Sequence, residues 1–306
     1  MALANATLGT PYLDAVTAGK PMFVAQNLVK TATTAFVWQS GSSNPDTRND
    51  VNDDRWPVSY AYDGYLHIGT KPYASSVNTY YLYGKLNEGT VDTIFIKMLN
   101  TSSNTTLTVE VSDNADMSSP TTLRQFANVP AHTRVCDISL NTNQVYTGVT
   151  YLRIWVASDD STPPQVGEIF IGQRDQMTRN FNAGYDDAPL GYDSSEWSPR
   201  ATAARHRYIV SEGYADFSAD YLFYEGNDRV IGLNDRTSLY NVFLGSEYAR
   251  DPILFIPDTT APSTVYLGFI QPDLSTSGGG PFDKTFSFKF QEQAPFLALE
   301  QGYGHQ

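Results

Sequence analysis

The sequence predicts an all-β fold: an antiparallel β-sandwich followed by a smaller β-domain with one helix. Three observations predict it. Apolar and polar residues alternate with period two through short runs, as in Thr106-Leu-Thr-Val-Glu-Val-Ser112, the pattern of a strand with one face buried. Turn-forming clusters separate the runs, such as Asn100–Asn104, Ser112–Asn114 and Asp159–Pro164. The chain of 306 residues is 41% hydrophobic but only 17% charged, so it has material for a core and a surface that is polar without being charged. At about 100–200 residues per domain, that length implies two domains.

Taken in order, residues 1–34 read as an N-terminal arm. Leu3, Leu8, Tyr12, Leu13 and Val16 give it apolar content without a sustained period. Residues 35–173 read as the sandwich. Its strands are expected at Tyr65–Gly69, Tyr80–Gly84, around Ile94, Ile96 and Met98, at Leu107–Val111, Thr133–Leu140, Leu152–Val156 and Val166–Gly172. Leu107, Val109, Val111, Ile154 and Val156 are its expected core. Residues 174–204 lose almost all aliphatics and contain Pro189 and Pro199, which marks a connector. Residues 205–293 read as the second domain. It has a helix over Arg236–Leu244 capped by Asp235, then strands at Ile253–Ile256, Thr264–Ile270 and through Phe286, Phe288 and Phe290. Residues 294–306 form a C-terminal tail.

Composition excludes several functions. With 20 basic against 33 acidic side chains, the formal charge is −13, which opposes binding to a phosphate backbone. No apolar run reaches the roughly 20 residues of a membrane span. Cys136 is the single cysteine, so no intrachain disulfide is expected, and its alternating position beside Val135 suits packing better than nucleophilic attack. The N-terminus lacks the charged and apolar regions of a signal peptide, so synthesis in a reducing cytosol is expected. His67, His132, His206 and His305 are too far apart for a zinc motif. No nucleophile elbow, phosphate loop or dinucleotide fingerprint occurs. No cofactor and no catalytic residue is therefore expected.

Three groups remain as candidate sites. Asp50-x-Asn52-x-Asp54 opens like a calcium loop, but Arg55 and Ala61 occupy the positions where an EF-hand needs Gly and Glu. A looser calcium site and a solvated Asx turn are the two readings left. Tyr151, Arg153 and Trp155 share the polar face of one strand. Tyr185, Tyr192 and Trp197 lie in the connector among Asp186, Asp187, Asp193 and Glu196. Trp and Tyr offer large contact area with a polar tip, so both aromatic groups are candidates for a protein interface or for stacking on sugar rings. The connector's acids raise a glycosidase reading, which needs two carboxyls about 5–9.5 Å apart. In so acidic a chain such clusters arise by chance.

The order of these features resembles a known family. An extended Trp-bearing loop from Asn44 to Trp56, strands at Val91–Met98 and Thr106–Ser112, and the closing Val166-Gly-Glu-Ile-Phe-Ile-Gly172 resemble the galactose-binding-like jelly roll of minor tail and baseplate proteins of tailed bacteriophages. Ala249–Asp258, Val265–Ile270 and the Phe-rich last strand look like the tail-attachment β-domain of the same proteins. The resemblance implies a structural virion component, made in the host cytoplasm and located in the phage tail. It also implies a homo-oligomeric ring or adaptor and other tail proteins as partners. The alternative is a glycan-binding adhesin that recognises a host-surface glycan, and behind it a polysaccharide depolymerase.

Overall fold

The computed structural model describes residues 20–41, 48–66, 68–73, 79–87, 91–101, 105–131, 134–137, 150–157, 162–177, 186–191, 194–197, 206–209, 214–224, 237–257, 265–277 and 283–293. Its strands begin with β1 (Met22–Val24), β2 (Val37–Ser40), β3 (Asn49–Asp50), β4 (Thr79–Lys85), β5 (Thr93–Asn100) and β6 (Thr106–Ser112). They continue with β7 (Thr121–Phe126), β8 (Arg134–Asp137), β9 (Tyr151–Ala157), β10 (Gln165–Gly172) and β11 (Asp175–Gln176). Next come β12 (Asp186–Gly191), β13 (Ser194–Trp197), β14 (His206–Ile209), β15 (Tyr214–Tyr224) and helix α1 (237–245). The last are β16 (Ile253–Ile256), β17 (Tyr266–Ser277) and β18 (Asp283–Glu292). The fold is all-β with antiparallel sheets, as the sequence predicts. The chain divides into two compact units, 1–179 with 253–265, and 180–252 with 266–306.

The first unit is a sandwich. One sheet has the order β3-β2-β4-β9-β6-β7, and the other has the order β10-β5-β8. Every pairing is antiparallel, so alternate residues of each strand point to one core. Trp38, Tyr80, Leu82, Leu107, Val109, Ile154 and Val156 from the first sheet bury against Ile94, Ile96, Met98, Val135, Ile169 and Ile171 from the second. All five residues expected in the core lie in it.

The N-terminal segment belongs to this unit. Residues 20–34 were expected in an arm, but β1 pairs with β11 on one side and β16 on the other. Met22, Phe23 and Val24 are fully buried, and the Phe23 ring stacks on Phe255 with centroids 4.9 Å apart. Asn27 then fastens the chain to β10: its Nδ2 donates to Ile169 O at 2.8 Å, and its Oδ1 accepts from Ile171 N at 3.3 Å. The Ile253–Ile256 strand belongs to this unit. Residues 1–19 lie outside the described residues.

Two other expectations change. The described residues of Tyr65–Gly69 form no strand; Gly64 adopts φ 88°, which turns the chain there. The 174–204 stretch contains strands β11, β12 and β13. β12 tolerates Pro189 because the β12–β15 register breaks between Ala188 and Gly191, where a residue without an N–H would otherwise be required to donate.

In the second unit the sheet order is β17-β18-β15-β12, with β13 and β14 as a separate hairpin. Phe288 and Phe290 are buried while Lys289 between them is exposed, as the alternation predicts. Helix α1 appears where expected and buries Leu239 and Val242. Its expected cap Asp235 and the tail 294–306 lie outside the described residues. Among the described residues, no helix is long and apolar enough to cross a membrane.

Candidate functional site

Tyr151, Arg153 and Trp155 lie on β9, on the sheet face away from the core. Cross-strand registers place Gln39, Tyr81, Trp155, Thr108 and Gln125 in one row, and Tyr83, Arg153 and Glu110 in the next. Polar patterning sent these residues outward, yet the face is densely filled. Arg153 is 4% exposed and makes two bonds to Glu110 Oε2, from Nε at 2.7 Å and from a terminal nitrogen at 2.6 Å. The Tyr81 ring lies under two guanidiniums, Arg48 at 3.6 Å and Arg153 at 5.5 Å from its centroid. Burial, and then the neighbouring Arg153 charge, push the Arg48 pKa down to about 10, while burial pushes the Tyr81 hydroxyl up. Trp155 packs against Tyr81 at 5.8 Å, and Tyr151 lies parallel to Tyr83 at 6.1 Å. Most of what these side chains offer is taken by one another.

Among the described residues, the exposed aromatics of this unit lie elsewhere, on the connection from Val51 to Tyr73. Trp56, Tyr65 and Tyr73 are 38%, 46% and 48% exposed. Their backbone is fixed from the core outward. Trp38 on β2 is fully buried; its N–H donates to Asn52 Oδ1 at 2.7 Å, and its carbonyl accepts from Val51 N at 2.8 Å. Asn52 bridges to Pro72, and Tyr73 N donates to Val51 O at 2.8 Å. Trp38 Nε1 donates to the buried Thr70 Oγ1 at 2.8 Å, and Thr70 Oγ1 in turn donates to the Trp56 carbonyl at 3.0 Å. Thr70 is held by paired backbone bonds with Val166, which demand close approach: a Cβ on Gly69 would lie 2.4 Å from Val166 O.

Arg55 immediately precedes Trp56 in sequence and reaches toward Tyr73. Its Nε and a terminal nitrogen donate to the two oxygens of Asp53 at 3.0 and 2.8 Å, a bidentate pair that fixes the guanidinium plane. The guanidinium carbon sits 6.0 Å from the Tyr73 centroid. The Asp53 carboxyl is 4% exposed and the Arg55 side chain 74%, so the acid anchors and the base projects. The hydrogen bond from Arg55 lowers the Asp53 pKa and raises that of Arg55. Further along, Asp63 Oδ1 accepts from Tyr65 N at 2.8 Å, and the buried Glu168 accepts from Gly64 N at 3.0 Å. Burial pushes Asp63 up to about 6 and Glu168 well above the usual carboxylate range.

Of the calcium candidates, Asn52 spends its side-chain oxygen on Trp38, Asp50 accepts from Gln39 Nε2 at 3.2 Å, and Asp54 is exposed. Among the described residues no group of three His, Cys, Asp or Glu is placed to hold a metal ion. Tyr185 and Tyr192 lie outside the described residues. Trp197 is on β13, opposite His206 on β14, in the second unit. Cys136 is buried on β8, opposite Phe95. The sequence marked Trp56 only as the end of an extended loop and gave no reading of Tyr73, so neither was a candidate site residue. The available signal was Arg55 and Trp56 beside Pro57, and Tyr73 beside Pro72.

No protein-family model matches the chain, and no curated protein matches it. Among solved structures it is similar to chitosan-binding module 1 from a chitosanase/glucanase of Paenibacillus sp. IK-5, at 17% identity over 48% of this chain and 99% of that one, TM-score 0.36. It is also similar to CpGH89CBM32-6 of Clostridium perfringens, at 15% identity over 48% and 99%, TM-score 0.32. A third is CBM32-1 from a family 31 glycoside hydrolase of Clostridium perfringens, at 9% identity over 47% and 99%, TM-score 0.32. At these values the likeness carries no argument about what this chain binds.

Proposed function

We propose that the first unit is a non-catalytic glycan-binding sandwich whose platform is formed by Trp56 and Tyr73 together with Arg55. The observation that carries this reading is the combination of half-exposed aromatic rings with an arginine locked in plane by a buried aspartate. Sugar rings present apolar C–H faces and polar rims. A site for them needs flat aromatic surface and a few fixed donors rather than a deep apolar cavity. The backbone behind the platform is tied to a core tryptophan, so little ordering entropy is lost on binding.

The finer reading is that this unit serves a tail component of a tailed bacteriophage and recognises a host-surface glycan. What supports it is the order of sequence features from Asn44 to Gly172 and from Ala249 to the last strand. Calorimetric titration of the whole chain with oligosaccharides from bacterial surfaces tests the first reading. Trp56→Ala and Tyr73→Ala should each weaken binding tenfold or more without changing the melting temperature. A chain that binds no glycan of a broad panel would sink it. Antibody labelling of virions tests the tail reading, which fails if the label misses the tail.

A further inference from the structure

Helix α1 carries a second surface of a different kind. Leu239 and Val242 bury one face, while Tyr240 and Leu244 on the other are 45% and 37% exposed. The helix ends in a turn where Glu247, Tyr248 and Ala249 have φ of 50°, 61° and 63°. Successive left-handed residues with side chains are rare. Buried Ser246 holds them. Its Oγ donates to Phe243 O at 2.8 Å and accepts from Ala249 N at 3.0 Å, and its carbonyl accepts from Asp251 N at 3.0 Å. The result is Tyr248, 70% exposed yet fixed, with its N–H on Phe243 O and its ring edge-on to Phe243 at 5.7 Å. A strained turn that presents a large apolar ring to water gains nothing for the isolated chain.

We infer that Tyr240, Leu244 and Tyr248 form a self-association surface on which a second copy of this chain docks about a two-fold axis. Charge selects the occupant. The chain carries a net −13, so two copies repel over most of their surface. Residues 237–251 are an exception, with Glu247, Arg250 and Asp251 as their only charges. Glu247 and Arg250 are side by side and paired within the turn, 54% and 73% exposed. A two-fold axis through an apolar stripe brings the acid of one copy to the base of the other, twice, which is the self-complementarity an isologous interface requires.

Sedimentation velocity of the full chain over a range of concentrations tests this. The expected result is a monomer–dimer equilibrium whose dissociation constant rises at least tenfold in Leu244→Glu and in Tyr248→Ser, with unchanged melting temperature. Glu247→Arg should weaken association, and adding Arg250→Glu should restore it. Four outcomes overturn the inference: a monomer at every concentration, a dimer indifferent to both substitutions, a larger ring that survives them, or a stripe that binds a different protein and never its own copy.

Discussion

The indole Nε1 of Trp38 donates to Thr70 Oγ1 at 2.8 Å, both residues fully buried, and Thr70 passes a second bond to the Trp56 carbonyl. One hydroxyl therefore joins the sandwich core to the outer aromatic platform. Thr70→Val removes both bonds and strands the indole N–H, a loss of about 1–3 kcal/mol for the unsatisfied buried donor. Thr70→Ser keeps the hydroxyl and should recover most of the stability. Thermal unfolding of the two variants, with the fluorescence of Trp56 as a local reporter, checks the expectation. Equal melting temperatures for Val and Ser would show that the relay contributes nothing.

Ile154→Ala should cost about 2–5 kcal/mol, because it opens a cavity between the two sheets. Tyr73→Ala, at a site 48% exposed, should cost far less while weakening the proposed glycan binding tenfold or more. Denaturant titration of both separates core from platform. A platform substitution as damaging to stability as the core one would mean that Tyr73 is structural.

Glu110 is the buried anion facing Arg153, with Arg48 across the same tyrosine ring. Glu110→Ala removes one side of this buried pair and should destabilise the unit by about 3–5 kcal/mol, as breaking a buried pair does. Reversible unfolding measurements check this; a loss below 1 kcal/mol, typical of an exposed pair, would show that water reaches the face.

Asp63 and Glu168 set a pH dependence. Each binds its proton more tightly folded than unfolded, Asp63 at about 6 against 3.8. The folded state thus holds more protons than the unfolded state, so stability from Asp63 falls as pH rises from about 4 to about 6, and Glu168 acts in the same direction. Asp63→Asn and Glu168→Gln keep an acceptor for the Tyr65 and Gly64 N–H groups and should flatten this loss. Melting curves across that range decide it, and a wild-type midpoint that rises relative to both variants would reverse the sign.

A fragment of residues 1–173 lacks β11 and β16, the two strands that pair with β1. It should unfold at lower temperature and less cooperatively than the whole chain. Adding a peptide of residues 250–266 should raise its midpoint. A fragment as stable as the whole chain would show that the β1 pairing is dispensable.

The sequence made the long strands legible because period-two alternation needs only one buried face. Val109 and Ile154 announced themselves in this way. β7 did not, since Leu123 and Phe126 are both buried three residues apart. The β6–β7 register slips between Val109 and Glu110, and the extra residue turns Leu123 inward. Alternation also predicts direction, not exposure. Arg153 points away from the core as expected, yet cross-strand neighbours on β4 and β6 bury it. The platform stayed hidden for a different reason. Its residues follow no period, and contacts across 14 to 32 positions, from Trp38 to Asn52 and to Thr70, place them.

The path of the chain between its two units sets a timetable for biosynthesis. The strand Ile253–Ile256 that completes the first unit's β11-β1-β16 sheet is made after more than seventy residues of the second unit. A ribosome releasing the chain from its N-terminus therefore exposes β1, with Met22, Phe23 and Val24, long before their last partner exists. In that interval the open edge of β1 is a template for any extended segment nearby. A nascent chain stalled before Ile253 would present that edge to chaperones and to other nascent chains.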